Sequence, residues 1–457
     1  PLLKAAQRDF DISLHTAKEI SRRIRCSDSQ PGCLSTVLGK SLYLYGGIVE
    51  EGQWVQDMDV VAGALIGCRD EAVCIATCDK KGLWITHLRR VKGKQDTTLW
   101  PKVPAVTCLQ DIQLLSIERV KQLTVPQPTK DWLMANFSTF QEIWVEFTTV
   151  AEEQRVAYVF FEFYNGAMSS TQCARLVQAL EFVLSKHTDL EPLSAVVLMG
   201  GASYFSNGIH LNVIETADDP ALESWENINY INDAVFYLLH ELPKRKIHTV
   251  AAIRGNCAAG GVALAAACDK VIAGADVVLN PAYRALGLYG SEYHTLSYTK
   301  RCGNSAAAGL LRNMLPLSAS DAEQVGLVDH VLPASGVELC DQIRDYVETM
   351  LSSVDDSASS FWKAGIDTSM AALASVRVAE LAEMAKDFWS PRAIRYHRRR
   401  SDFVRKVKPK TTPLRFAIHR RAEKGERLLD EEEKIKAGTY QRLFEDQGVI
   451  FPCLYDP

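Results

Sequence analysis

Apolar residues at Leu14, Ala17, Ile20 and Ile24 recur at three- and four-residue intervals behind Ser13, a spacing that predicts a helix over 13–25 capped by Ser13. After Pro31-Gly32 the period changes. Short apolar runs at 41–45, 62–68, 72–78 and 83–88 are separated by turn formers such as Arg69-Asp70 and Asp79-Lys80-Lys81-Gly82, and they predict a small β-barrel (OB-like) or a curled sheet that ends near Leu109. The Pro-rich stretch Thr124-Val125-Pro126-Gln127-Pro128 closes this first domain, placed at residues 1–124.

From Arg155 onward strands and helices alternate. Strands are predicted at 156–163, 195–199, 249–253 and 271–273, with helices at 172–186 and 225–242 and a short helix, after a Gly-rich turn, that ends at Ala267. Short buried strands alternating with helices need crossover connections, so the pattern predicts a parallel α/β domain over 125–350. A helical, increasingly charged extension follows over 351–457. Its Arg392, Arg395, Arg398, Arg399, Arg400, Arg405 and Lys406 form a basic cluster that either meets phosphates or is a solvated face, the second being favoured.

Charge narrows the partners. With 51 Lys+Arg against 56 Asp+Glu, the formal net charge of -5 gives no whole-chain attraction to nucleic acid or an anionic membrane. The 12 cysteines are scattered singly, as reduced core thiols are, and no CxxC pair or close Cys/His grouping suggests a metal. No apolar run reaches the ~18 residues of a membrane span, and no leader pattern opens the chain, so a soluble cytoplasmic protein is expected.

Two glycine-rich loops carry the candidate chemistry. One runs from Gly200 to Leu211 behind the strand at 195–199; the other, Gly255-Asn256-Cys257-Ala258-Ala259-Gly260-Gly261-Val262-Ala263-Leu264, follows the strand at 249–253. A glycine-rich strand-to-helix turn exposes backbone N–H groups that a ligand can approach closely, or it simply makes a tight turn. The pair, in this order and spacing, resembles the crotonase (enoyl-CoA hydratase/isomerase) family over roughly 150–335. The stretches 163–169 and 322–330 extend the match. The resemblance implies the α/β crotonase fold of repeated ββα units with a helical C-terminal extension. It also implies coenzyme A as an acyl-CoA substrate, with thioester oxyanion donors at the N–H groups of Asn207 and Gly260 and close approach at Gly208 and Gly261. Both donor amides should then be free of the fold's own carbonyls.

Departures from the family are informative. Hydratases carry two catalytic glutamates, but this chain has Ala263 at one position and Ala282-Tyr283 at the other. Adding water to a double bond needs such carboxylates, so hydratase activity is not expected. Tyr283, Tyr289 and Glu292 are the nearest proton donors or acceptors, or else packing aromatics and a surface acid. Glu292 is the best base by intrinsic pKa. His210, where the family usually has aspartate, is either catalytic or a structural histidine.

The stretches 206–215, Asn280-Pro281 and 288–293 resemble the hydrogenase-maturation branch of HoxX type, and 6–11 with 24–32 resemble the start of a formyltransferase C-terminal domain. That resemblance implies decarbonylation of formyl-CoA to CO and CoA. The alternatives are another acyl-CoA lyase or isomerase reaction, such as decarboxylation, or a non-catalytic CoA-binding scaffold. No formyltransferase catalytic loop is recognisable, so folate chemistry is not expected of this chain alone, and a separate formyltransferase catalytic domain is an expected partner. Oligomerisation remains open.

Overall fold

The computed structural model describes residues 8–28, 30–150, 154–353 and 362–407. It divides into two compact units, residues 1–230 and 231–457.

The first unit opens on α1 (Ala17–Cys26), which starts later than the periodicity suggests. Thr16, not Ser13, is the cap: its hydroxyl accepts from Glu19 N–H while the Glu19 carboxylate accepts from Thr16 N–H, a reciprocal capping box. Leu14 is left 75% exposed, and Ile20 and Ile24 are buried on the sheet. That sheet comprises β1 (Cys33–Val37), β2 (Lys40–Glu50), β3 (Leu65–Arg69), β4 (Ala72–Ala76), β5 (Gly82–Arg90) and β6 (Val103–Pro104), with the single turn α2 (Gln53–Gln56) between β2 and β3. Gly46 and Gly47, at φ +86° and +77°, make the bulge in β2 beneath α1. A Cβ on Gly46 would stand 2.5 Å from Thr86 Oγ1, so the bulge needs glycine.

The expected closed barrel is not formed. Strand order is β1-β2-β5-β4-β3 with β6 on β5, which leaves an open sheet with β1 and β3 at its ends. The edge of β3 is already occupied, because Val125 N–H donates to Cys68 C=O at 2.9 Å, so β1 has nothing there to pair with. Helices α3 (Ala105–Asp111) and α4 (Ile117–Leu123) add Leu109 and Leu123 to the core.

Next come β7 (Ile143–Thr149) and β8 (Arg155–Phe161), paired antiparallel, then α5 (Ser170–Ser185) and β9 (Leu193–Leu198), which runs parallel to β8. Strands β8 and β9 are buried along nearly their whole length, as a parallel sheet covered on both faces requires. The short β10 (Tyr204–Ser206) and α6 (Leu211–Thr216) lead to α7 (Pro220–Phe236), which runs on into a π-turn at Tyr237–Glu241.

In the second unit β11 (His248–Ile253) is followed by β12 (Asn256–Ala258), α8 (Gly260–Ala266), β13 (Lys270–Gly274) and β14 (Val278–Asn280). Then come α9 (His294–Cys302), α10 (Asn304–Asn313), β15 (Leu317–Ser318), α11 (Ala319–Gln324), β16 (His330–Leu332) and α12 (Gly336–Ser353). Strands β11, β13 and β16 are parallel neighbours, and β14 lies between β12 and β15. Helices α13 (Met370–Trp389) and α14 (Ala393–Val404) make up the described part of the predicted extension, whose residues 408–457 lie outside the described ones.

Buried Lys363 anchors the approach to α13: its ammonium donates to Leu238 C=O at 2.8 Å and to Thr249 Oγ1 at 3.0 Å, and pairs with Asp269 Oδ1 at 3.0 Å. The basic cluster is only partly a solvated face. Arg392 pairs with Glu383 at 2.9 Å and Asp387 at 2.8 Å, Arg400 is buried against Tyr396, and Arg398 is exposed. Packing α14 on α13 turns half the cluster inward. Among the described residues no helix is long and apolar enough to cross a membrane, and no His/Cys/Asp/Glu group could hold a metal ion.

Candidate active site

The loop between β9 and α6 holds Asn207, whose N–H donates to Gly166 C=O at 2.7 Å and whose side-chain Nδ2 donates to Asn165 C=O at 2.6 Å. Asn207 therefore fails the expectation of a free donor amide. Gly208, at φ +72°, reverses the backbone and donates to Ser206 Oγ at 3.1 Å. Beyond it the chain makes one parallel bridge to Met168: Gly208 C=O accepts from Met168 N–H at 2.9 Å, and His210 N–H donates to Met168 C=O at 3.1 Å. These two bonds flank Ile209, so in extended backbone its own N–H points the opposite way. Among the described residues the Ile209 N–H donates to no carbonyl. The free amide of this loop lies two residues beyond the expected one.

The loop between β12 and α8 turns on Ala259, at φ +48° and ψ -125°, a conformation that L side chains rarely adopt. It is pinned on both sides, with Ala259 N–H on Asn280 C=O at 2.9 Å and Val262 N–H on Ala259 C=O at 3.0 Å. Gly260 and Gly261 follow as the first helical residues, where N–H groups have no intrahelical partner, and neither donates to a carbonyl among the described residues. Gly260 thus meets the expectation that Asn207 fails. Ala263 is fully buried and brings no carboxylate to the hydratase position.

Glu292 is 2% exposed, not a surface acid. It and Tyr293 are consecutive left-handed residues, at φ +64° and +56°. Glu292 N–H donates to Asn232 Oδ1 at 2.8 Å, and Tyr293 N–H to Glu380 Oε2 at 2.8 Å. Burial pushes the Glu292 carboxyl up to about 7; nearby His294 opposes the shift and Glu380 adds to it. The His294 ring lies 5.1 Å from Tyr283, 5.7 Å from Tyr289 and 5.7 Å from Tyr298. Burial holds the Tyr283 and Tyr298 phenols well above the ordinary tyrosine range, so both stay protonated. Tyr289 is fixed through its N–H on Asp387 Oδ2 at 2.7 Å. Buried Ser297 Oγ and Asn232 Nδ2 find no hydrogen-bond partner among the described residues. Polar atoms buried in this way are uncommon in folded proteins.

Sequence reasoning misses Asn232, His294, Tyr298 and Glu380. A signal for Glu380 exists on α13, where Glu380, Glu383 and Asp387 share the buried stripe with Met384 at helical spacing. Three carboxylates on the apolar face of a helix need buried donors.

His210 caps a helix. Its Nδ1 accepts from Val213 N–H at 3.2 Å, capping α6, so its proton lies on Nε2, 3.4 Å from Nε2 of His87. His87 stacks on Tyr164 at 4.5 Å, and Lys102 Nζ donates to the Tyr164 hydroxyl at 2.9 Å. Burial pushes His210 down to about 4. A histidine with a depressed folded pKa contributes stability that is complete above the unfolded value of ~6.5 and is lost as pH falls towards about 4, up to about 3 kcal/mol. His210→Asn keeps a capping acceptor and removes the titrating ring. Urea unfolding at pH 7.5 and pH 5 should show a smaller loss of stability for the variant than for the wild type; equal losses would contradict the assignment.

The family profile described as enoyl-CoA hydratase/isomerase matches residues 153–412, and that described as formyl transferase, C-terminal domain, matches residues 4–121. The hydrogenase maturation factor HoxX of Bradyrhizobium diazoefficiens is 30% identical over 91% of this chain and 67% of its own length. The putative enoyl-CoA hydratase/isomerase YhaR of Bacillus subtilis is 29% identical over 41% of this chain and 69% of its own. The crystal structure of HypX from Aquifex aeolicus in complex with tetrahydrofolic acid is similar with a TM-score of 0.77 at 34% identity, covering 92% of this chain and 69% of that one. The chain thus spans about two thirds of the length of the HoxX and HypX chains. The matches bear out the resemblance drawn from the two loops and from the leading segment.

Proposed function

The chain belongs to the enoyl-CoA hydratase/isomerase family, with its crotonase-like fold behind an N-terminal domain, and from that premise we propose that it decarbonylates formyl-CoA to carbon monoxide and CoA. The observation that carries the reading is Glu292: a buried carboxyl pushed up to about 7, close to protonated phenols, in a chain with alanine at the hydratase position 263.

The chemistry needs one base and no water. The N–H group of Gly260 is the proposed donor to the thioester oxygen, and a preorganised donor of this kind is worth ~3 kcal/mol in the transition state. Glu292 takes the formyl proton. The C–H electron pair becomes the carbon lone pair of CO, the C–S pair leaves with sulfur, and the proton passes from Glu292 to the thiolate, giving CoA. A carboxyl near neutrality suits both halves of that transfer. Tyr283 and Tyr298, protonated at neutral pH, serve as orienters or donors.

Incubation with formyl-CoA in the presence of a haem protein that reports CO should give CO and free thiol in equal amounts. Crotonyl-CoA should be hydrated negligibly, and turnover near that of a true hydratase would show the acid/base groups to be misassigned. Thiol release without CO would favour a different acyl-CoA reaction, and release of neither would favour a CoA-binding scaffold.

The leading sheet is packed onto the neighbouring α/β elements of its own unit through Asp70 on Arg175 at 2.8 Å and His87 on His210. We assign it that packing role, with formyl transfer from a folate left to a formyltransferase catalytic domain.

A further inference from the structure

We propose that Glu380, on α13, is a positioning residue that clamps the left-handed Glu292–Tyr293 pair and so aims the Glu292 carboxyl. Only the turnover arm of its test rests on the decarbonylase reading.

Two consecutive non-glycine residues at φ +64° and +56° are held against their local preference. Such a pair persists only where the surroundings fix it from both sides. Asn232 fixes one side through Glu292 N–H. Glu380 fixes the other with three donors on one carboxylate: Tyr293 N–H at 2.8 Å, Thr295 N–H at 2.8 Å and Thr295 Oγ1 at 2.6 Å. His294 Nδ1 stands 3.3 Å from the same Oε1 and 2.9 Å from Ser291 C=O. Without this carboxylate the Tyr293 and Thr295 amides lose their acceptor, and the pair is free to relax towards right-handed backbone, which swings the Glu292 side chain away.

Glu380 is 1% exposed, and no Lys or Arg pairs with it among the described residues. A neutral acceptor would spare the fold a buried charge. The charge has an effect a neutral group lacks: it disfavours ionisation of Glu292. The groups facing Glu292 are Ser291, whose N–H donates to its Oε2 at 3.1 Å, His294 and Tyr298 on α9, Tyr283 from the preceding loop, Asn232 on α7 and Glu380 on α13. Of these, His294 and Glu380 act on its charge in opposite senses.

The test reads the Glu292 carboxyl directly. The carboxylic C=O infrared band is titrated as the difference between protein with Glu292 and with Glu292→Gln, once in the wild type and once in Glu380→Gln. The Glu292 midpoint should fall by at least about half a pH unit in Glu380→Gln, because a negative neighbour is gone. Turnover of formyl-CoA should fall about 10²-fold, with CoA affinity within a few fold. An unchanged midpoint, or a turnover loss equal to the loss of folded protein, overturns the proposal. If wild-type protein makes no CO, the decarbonylase reading fails and the infrared arm alone decides the role of Glu380. Should Glu380→Gln not fold, Thr295→Val takes its place, since it removes one donor and keeps the charge. A shifted Glu292 midpoint there supports the clamp, and an unshifted one overturns it.

Discussion

Glu292→Gln should lower formyl-CoA turnover by about 10³-fold or more while leaving CoA affinity within a few fold, because the amide keeps the shape of the side chain and removes its capacity to accept the formyl proton. In the wild type the active form is the carboxylate, so kcat/KM should rise with pH around a midpoint near 7 and fall away below it. Stability should run the other way. The carboxyl binds its proton more tightly folded than unfolded, so Glu292 costs nothing below its unfolded value of ~4.5. That cost grows as pH rises towards 7, reaching about 3 kcal/mol above it. Glu292→Gln should therefore be the more stable protein at pH 8. A variant that is inactive and also less stable at pH 8 would mean that the residue packs the loop instead of moving a proton. Tyr283→Phe should cost less than Glu292→Gln if the phenol only orients or donates.

The second large effect concerns a backbone group. Replacing the Gly260 N–H by an ester oxygen should lower kcat about 10²–10³-fold with little change in folding, as loss of one oxyanion donor does. The same replacement at Asn207 removes the bond to Gly166 C=O and should cost about 1 kcal/mol of stability with kcat nearly intact. The reverse pattern would return the donor role to Asn207. Measured together, the two esters decide which of the two amides serves the thioester, independently of any side chain.

The elements themselves were legible in the sequence wherever a local pattern had one solution. Apolar runs at 72–78, 83–88 and 249–253 became strands because alternation and turn formers leave few other ways to bury them. Ser13 misled because any Ser can cap, whereas the Thr16-x-x-Glu19 box, also readable, satisfies two backbone donors at once. The two glycine loops and Glu292 were visible as motifs. Their state was not. Whether an amide is free depends on what lies opposite it, and Asn207 loses its freedom to Gly166, more than forty positions earlier in the chain.

Sequence by itself determined the family, the order of strands and helices, the loss of the hydratase carboxylate at Ala263 and the presence of one acid in the 283–293 stretch. Tertiary structure decided the rest: that the leading sheet stays open because Val125 holds its edge, that His210 Nδ1 caps α6, that Ile209 keeps the free amide, and that Glu292 lies buried under Asn232 and Glu380. The physical reason is range. Periodicity and turn chemistry act over a few residues, while hydrogen-bond satisfaction and desolvation depend on groups brought together from positions as distant as 232, 292 and 380.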